Sequence, residues 1–132
     1  MHSVWLGEFL GTLVLVLLGT GVNAGVTLRK SYAADSGWLV IATGWGLSVL
    51  CGVLVAQAFG SSGAHLNPAI TMAAAVNSGD YSQLLYYWSA QLLGAMAGAT
   101  LMTLLLVVEL VDPDDGVCAV LVERLQYNGA MR

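Results

Sequence analysis

Charged residues divide this chain into three long apolar blocks. The first runs from about Val4 to Leu28 and carries no charge between Phe9 and Leu28, roughly the 20 residues needed to cross about 30 Å of hydrocarbon. A cleaved leader would need a basic start and a shorter apolar core. Met1-His2-Ser3-Val4-Trp5 has no Lys or Arg, so a spanning helix is favoured. The second block, Ser36 to Gly79, is also uncharged. As one straight helix it would exceed about 60 Å, twice the membrane core, so it must break. Residues 37–59 suffice for one span, and Gly60-Ser61-Ser62-Gly63 is a cluster of turn-forming residues. What remains, 68–77, reads as a half-helix entering from a loop, closed by Asn77-Ser78-Gly79-Asp80. The third block, about 82–108, follows Tyr81 and contains Tyr86, Tyr87 and Trp88, expected as interface anchors. The pattern predicts an all-α membrane protein of three transmembrane helices plus one re-entrant half-helix.

The break lies in Gly63-Ala64-His65-Leu66-Asn67-Pro68-Ala69-Ile70-Thr71. Asn67 can cap a helix with its side-chain oxygen, and Pro68 suits the first helical position. Non-helical backbone at membrane depth is tolerated only where protein buries it or water solvates it. The carbonyls of Gly63, Ala64, His65 and Leu66 would then form a row of acceptors along a narrow wet path. The positive end of the half-helix, with a donor at Asn67, would repel cations and accept neutral polar solutes. The competing reading is a helix that merely kinks at Asn-Pro inside a bundle. His65 is equally readable as a packing residue, since no second His or Cys stands at metal spacing. Glu8 is either a charge near a helix start, helped by the dipole, or a buried acceptor holding the loop.

Composition supports the membrane assignment. The chain is 58% hydrophobic and 9% charged, against about 25% charged in soluble domains. The net charge is −4 with no basic cluster, which excludes a nucleic-acid footprint. Cys51 and Cys118 match no metal or redox spacing, and Cys51 reads as a small packing residue. No metal site or cofactor is implied, and no catalytic set stands out. Gly7 with Gly11, Gly21 with Gly25, and Gly94 with Gly98 give small pairs at i, i+4 for close helix contact.

The stretch Ser62 to Thr71 resembles the first Asn-Pro-Ala loop of the major intrinsic proteins, the aquaporins and glycerol facilitators. Glu8 and Thr12 are similar to the family's first-helix Glu-x-x-x-Thr pattern, and Gln91 with Gly94 to its third helix. The resemblance covers Val4 to about Leu106. It implies that residues 1–108 are the N-terminal half of an aquaporin-like channel domain, one of two inverted repeats, with 109–132 a divergent acidic tail. It also implies a homo-oligomer, a tetramer in the family, in a plasma or bacterial inner membrane, with a cytoplasmic N-terminus. Arg29 and Lys30 would then lie outside, against the positive-inside rule.

Within the resemblance, the solute path comprises Asn67, Pro68, Ala69, Gly63, Ala64, His65 and Leu66, with Glu8 as loop support. Trp45 matches the second-helix position of the family's selectivity filter, where glycerol facilitators usually carry Trp and water-selective members Phe. An indole offers an apolar wall for a polyol's carbon chain. The alternative is a Trp anchoring a helix end at the interface. The implied function is passive conduction of glycerol, related small neutral solutes and water, with this chain supplying half of the pore. A water-selective channel, or a truncated non-conducting membrane fragment or assembly partner, are the alternatives.

Overall fold

The computed structural model describes residues 3–28 and 31–110; Arg29, Lys30, Cys118 and the acidic tail from 111 onward lie outside the described residues. Four helices follow in chain order: α1 Val4–Thr27, α2 Trp38–Ala58, α3 Pro68–Ser78 and α4 Leu84–Leu110. No strand occurs among the described residues. α1, α2 and α4 are long and apolar enough to cross a membrane. α3, with 11 residues, reaches only about 16 Å, half of the hydrocarbon thickness. The chain separates into two compact units, Met1–Met102 and Thr103–Arg132. Of the second, the described part is the final stretch of α4.

The start of α1, the end of α2 and both ends of α3 have local causes. Ser3 caps α1, its hydroxyl accepting from the Leu6 N–H at 3.1 Å. The Ser3 N–H in turn donates to the Phe59 carbonyl at 3.1 Å, which ties the start of α1 to the end of α2. Gly60 follows at φ 111° and Ser61 N–H returns to the Ala56 carbonyl at 2.9 Å, so the backbone turns sharply off α2. α3 starts at Asn67, whose side-chain oxygen accepts from the Ala69 N–H at 2.9 Å, with Pro68 in the first turn. It ends at Gly79 in the left-handed region, φ 72°, with the Gly79 N–H on the Ala75 carbonyl. In the turn to α4 the Asp80 carboxylate accepts from the Ser82 N–H at 2.9 Å, and the Ser82 backbone and side-chain donors hold its pKa below the usual value.

Packing in the first unit relies on small residues. Gly7, Gly11 and Gly19 of α1 are buried, as are Ser48, Gly52 and Ala56 of α2. A Cβ on Gly11 would lie 2.7 Å from the Gly52 carbonyl oxygen, and one on Gly52 2.8 Å from that of Gly11. On another side of α1, a Cβ on Gly94 of α4 would overlap the Phe9 carbonyl oxygen, and one on Gly98 would approach that of Leu13. Backbones meet this closely because lipid supplies no hydrophobic drive between helices, leaving van der Waals contact to hold them. The Gly21 and Gly25 pair behaves differently from expectation. A Cβ on Gly21 would touch only the Met102 side chain at 3.4 Å, and one on Gly25 only Ser31 Oγ at 3.9 Å. The contacts there are side chains, so no helix backbone comes close among the described residues. Leu47, Leu50 and Leu54 of α2 and Leu85, Leu92 and Met96 of α4 remain exposed.

Two outcomes follow from this packing. Gly94→Ala forces α1 and α4 apart and should cost about 1–3 kcal/mol, the usual range for overpacking. Gly46→Ala, where nothing lies within 4 Å, should leave stability unchanged or raise it by up to about 1 kcal/mol. Thermal unfolding of both variants in detergent micelles checks the contrast. The Asp80 contact is fully present at neutral pH and lost as pH falls through its lowered pKa. Asp80→Asn should therefore remove acid sensitivity of the 79–83 turn below about pH 4, as read by amide exchange at Ser82.

Candidate functional site

The site is assembled on Glu8, which is completely buried in the first turns of α1. A carboxylate there must find its hydrogen bonds inside the protein, and it has four. Oε1 accepts from Ser61 Oγ at 2.6 Å and from the His65 N–H at 2.8 Å. Oε2 accepts from the Leu66 N–H at 2.8 Å and from Gln91 Nε2 at 2.9 Å. Donors thus reach Glu8 from the turn after α2, from the segment before α3 and from α4. Ser61 and Gln91 are themselves buried, at 0% and 1% exposure.

This geometry sets the direction of the loop backbone. Every described peptide bond is trans, and a trans peptide directs its N–H and C=O to opposite sides. The N–H groups of His65 and Leu66 point at Glu8. The carbonyls sharing those peptide units, those of Ala64 and His65, therefore point away from it. Ala64 and Leu66 adopt positive φ, 42° and 53°, which costs about 1–2 kcal/mol each for residues with a side chain. Hydrogen bonds to a charged acceptor, about 1.5–3 kcal/mol each, offset that strain. Leu66 is anchored by its side chain as well: it is buried between Gly11 and Gly52. Among the described residues, no donor reaches the carbonyls of Gly63, Ala64, His65 or Leu66.

Further contacts fix the start of α3. Gln91 Nε2 also donates to Thr71 Oγ1 at 2.9 Å, and Thr71 Oγ1 lies 3.2 Å from His65 Nδ1 and 3.2 Å from the Asn67 carbonyl, to which it donates. The His65 ring stacks on Tyr87, centroids 4.8 Å apart. Trp88 Nε1 donates to the Pro68 carbonyl at 3.1 Å. Trp88 is thus a strut between α4 and α3, beyond the interface anchor expected from its place near a helix start. Asn67, Pro68 and Ala69 are exposed. With the Asn67 oxygen engaged in capping, its amide N–H groups have no acceptor among the described residues.

The structure brings Glu8, Ala64, His65, Leu66 and Asn67 into one assembly and places Trp45 elsewhere. Trp45 lies across α1, where a Cβ on Gly19 would collide with its six-membered ring, and its Nε1 donates to Asn23 Oδ1 at 3.0 Å. Gly19 stands about 12 Å further along α1 than Gly11, at the level of Leu66. Thr12 is buried, but its hydroxyl has no hydrogen-bond partner among the described residues and takes no part in the network. No cluster of metal-ligating side chains occurs among the described residues. Sequence reasoning missed Ser61, Thr71 and Asn23 as site residues, and valued Gln91 only through resemblance. A lone Gln inside an apolar span was the available signal, because intramembrane polar residues seek partners.

Three helices long and apolar enough to span a bilayer define a multi-pass membrane protein. The sequence profile of the major intrinsic protein family matches residues 2–127, and the chain belongs to that family. The match runs beyond Leu106, where the recognisable motifs end, into residues outside the described ones. The chain is 45% identical over 114 residues to a probable glycerol uptake facilitator protein of Thermotoga maritima, covering 86% of this chain and 48% of that protein. It is 50% identical over 105 residues to the glycerol uptake facilitator protein of Streptococcus pneumoniae R6, covering 79% and 44%. Aquaporin-1 of Rhizopus delemar is 43% identical over 116 residues, covering 87% and 37%. The chain thus spans less than half the length of these curated relatives. No solved structure matches it.

Glu8→Gln tests the hub. An amide presents one acceptor oxygen and one donor nitrogen, so two donors now face an N–H₂ group. The substitution should cost about 3 kcal/mol and raise amide exchange at His65 and Leu66 about 100-fold. Exchange in the middle of α2 should change far less.

Proposed function

We propose that residues 63–69 form one wall of a passive path for glycerol and related small neutral solutes, water included, through the cell membrane. One observation carries the reading: Glu8 takes the loop N–H groups and so turns the Ala64 and His65 carbonyls the other way. Acceptors in a row beside the donor amide of Asn67 match a solute whose hydroxyls both donate and accept. The positive end of α3 disfavours cations at the same point. Trp45 of α2, lying against α1 at Gly19, supplies an apolar face for the polyol carbons. The glycerol uptake facilitators among the relatives support this choice of solute. The chain contributes half of the pore, and a homo-oligomer provides the setting in which it works. Conduction involves no bond making, so the proposal is a channel and not an enzyme.

Stopped-flow uptake into liposomes carrying the chain tests this. Glycerol entry should exceed that of empty liposomes, and entry at the empty-liposome rate would remove the conduction claim for this chain. Trp45→Phe reduces the apolar wall. It should lower the glycerol-to-water uptake ratio about five-fold, equivalent to about 1 kcal/mol. An unchanged ratio would remove Trp45 from the path.

A further inference from the structure

Trp45 of α2 is held against α1, and the holding is specific. Gly19 leaves a bare backbone surface under the six-membered ring, since any Cβ there would come within 2.5–2.7 Å of Cζ3, Cε3 and Cη2. One turn further, Asn23 Oδ1 accepts the indole N–H at 3.0 Å. Positions 19 and 23 are four apart and share a face of α1, so the flat support and the acceptor act on the ring together. Beside it, Gly44 packs against Val22, where a Cβ would overlap both methyl groups. This holds the two backbones at the separation that lets the indole bridge them. Asn23 itself is half-buried in an apolar helix. A polar side chain inside a membrane helix carries a cost unless it is hydrogen-bonded, and the Trp45 indole donates to that of Asn23.

We infer that Asn23 is a positioning residue for solute selection: it fixes the orientation of the Trp45 indole and thereby the apolar face presented to a polyol's carbon chain. The inference rests on Trp45 lining the solute path, as proposed above. A Trp N–H without Asn23 would have to find another acceptor or lie unpaired in an apolar seam. The ring would then sample other rotamers over Gly19. A narrow polyol needs an ordered wall more than water does, because the carbon chain has to lie along the ring while its hydroxyls reach acceptors elsewhere.

The test uses the full chain, with ¹⁵N-labelled Trp, in lipid nanodiscs. Trp45→Phe assigns the Trp45 indole signal among the four tryptophans. Asn23→Leu, matched in shape and lacking an acceptor, should shift the Trp45 N–H signal upfield and leave those of Trp5, Trp38 and Trp88 in place. Glycerol titration should perturb the Trp45 signal in the parent. Asn23→Leu should weaken that response about five-fold, the usual effect of one lost hydrogen bond, and Asn23→Asp, which keeps an acceptor oxygen, should restore it. A Trp45 signal unmoved by Asn23→Leu overturns the hydrogen bond. A moved signal with an unchanged glycerol response overturns the selective role while leaving the path intact. No glycerol response in the parent overturns Trp45 as a wall of the path, and the selective role of Asn23 with it.

Discussion

A carboxylate with no access to solvent is stable only if the surrounding protein donates to it, and Glu8 draws donors from three separate parts of the chain. Its two oxygens accept four hydrogen bonds, all between 2.6 and 2.9 Å. Removing one partner leaves a buried polar group unpaired, which costs more than the bond itself contributes. The turn after α2, the non-helical segment before α3 and the first third of α4 therefore share one anchor on α1. The left-handed conformations at Ala64 and Leu66 persist because that anchor requires both N–H groups on the same side.

From this constraint the exposed chemistry follows. Once the N–H groups are committed, trans peptide geometry commits the carbonyls to the other side. Asn67 is subject to a parallel division of labour. Its oxygen closes the helix start and its amide nitrogen stays free to donate. Trp88 on the Pro68 carbonyl and Gln91 on Thr71 keep α3 from shifting against α4. The close backbone approaches at Gly7, Gly11 and Gly94 are what allow a side chain as short as that of Glu8 to reach all three neighbours.

Much of this was legible in the sequence. A stretch too long and too apolar to be one helix had to break, and Asn67-Pro68 marked where the half-helix starts; α3 begins at Pro68 as expected. The long helices begin and end near charges and Gly or Ser clusters that are visible in the sequence. The partners of Glu8 were not legible. Ser61 and Gln91 stand 53 and 83 positions away in sequence, and a carboxylate near a helix start reads equally well as a dipole charge. The Gly21 and Gly25 pair illustrates the opposite error. Small-residue spacing permits close contact, but only a partner helix at that height makes it occur. Trp45 could be placed on its helix from sequence, whereas its bond to Asn23 depends on how α1 and α2 are rotated against each other.

In the proposed path the Ala64 and His65 carbonyls face away from Glu8 and accept hydrogen bonds from the solute. Isotope-edited infrared spectroscopy of the chain in bilayers tests this most directly, with ¹³C placed in turn at the carbonyls of Ala64, His65 and, as a helical control, Ala73. Adding glycerol should move the Ala64 and His65 bands to lower frequency, as hydrogen bonds form to them, and leave the Ala73 band unchanged. Ala64 and His65 bands that ignore glycerol while the protein remains folded would contradict the account.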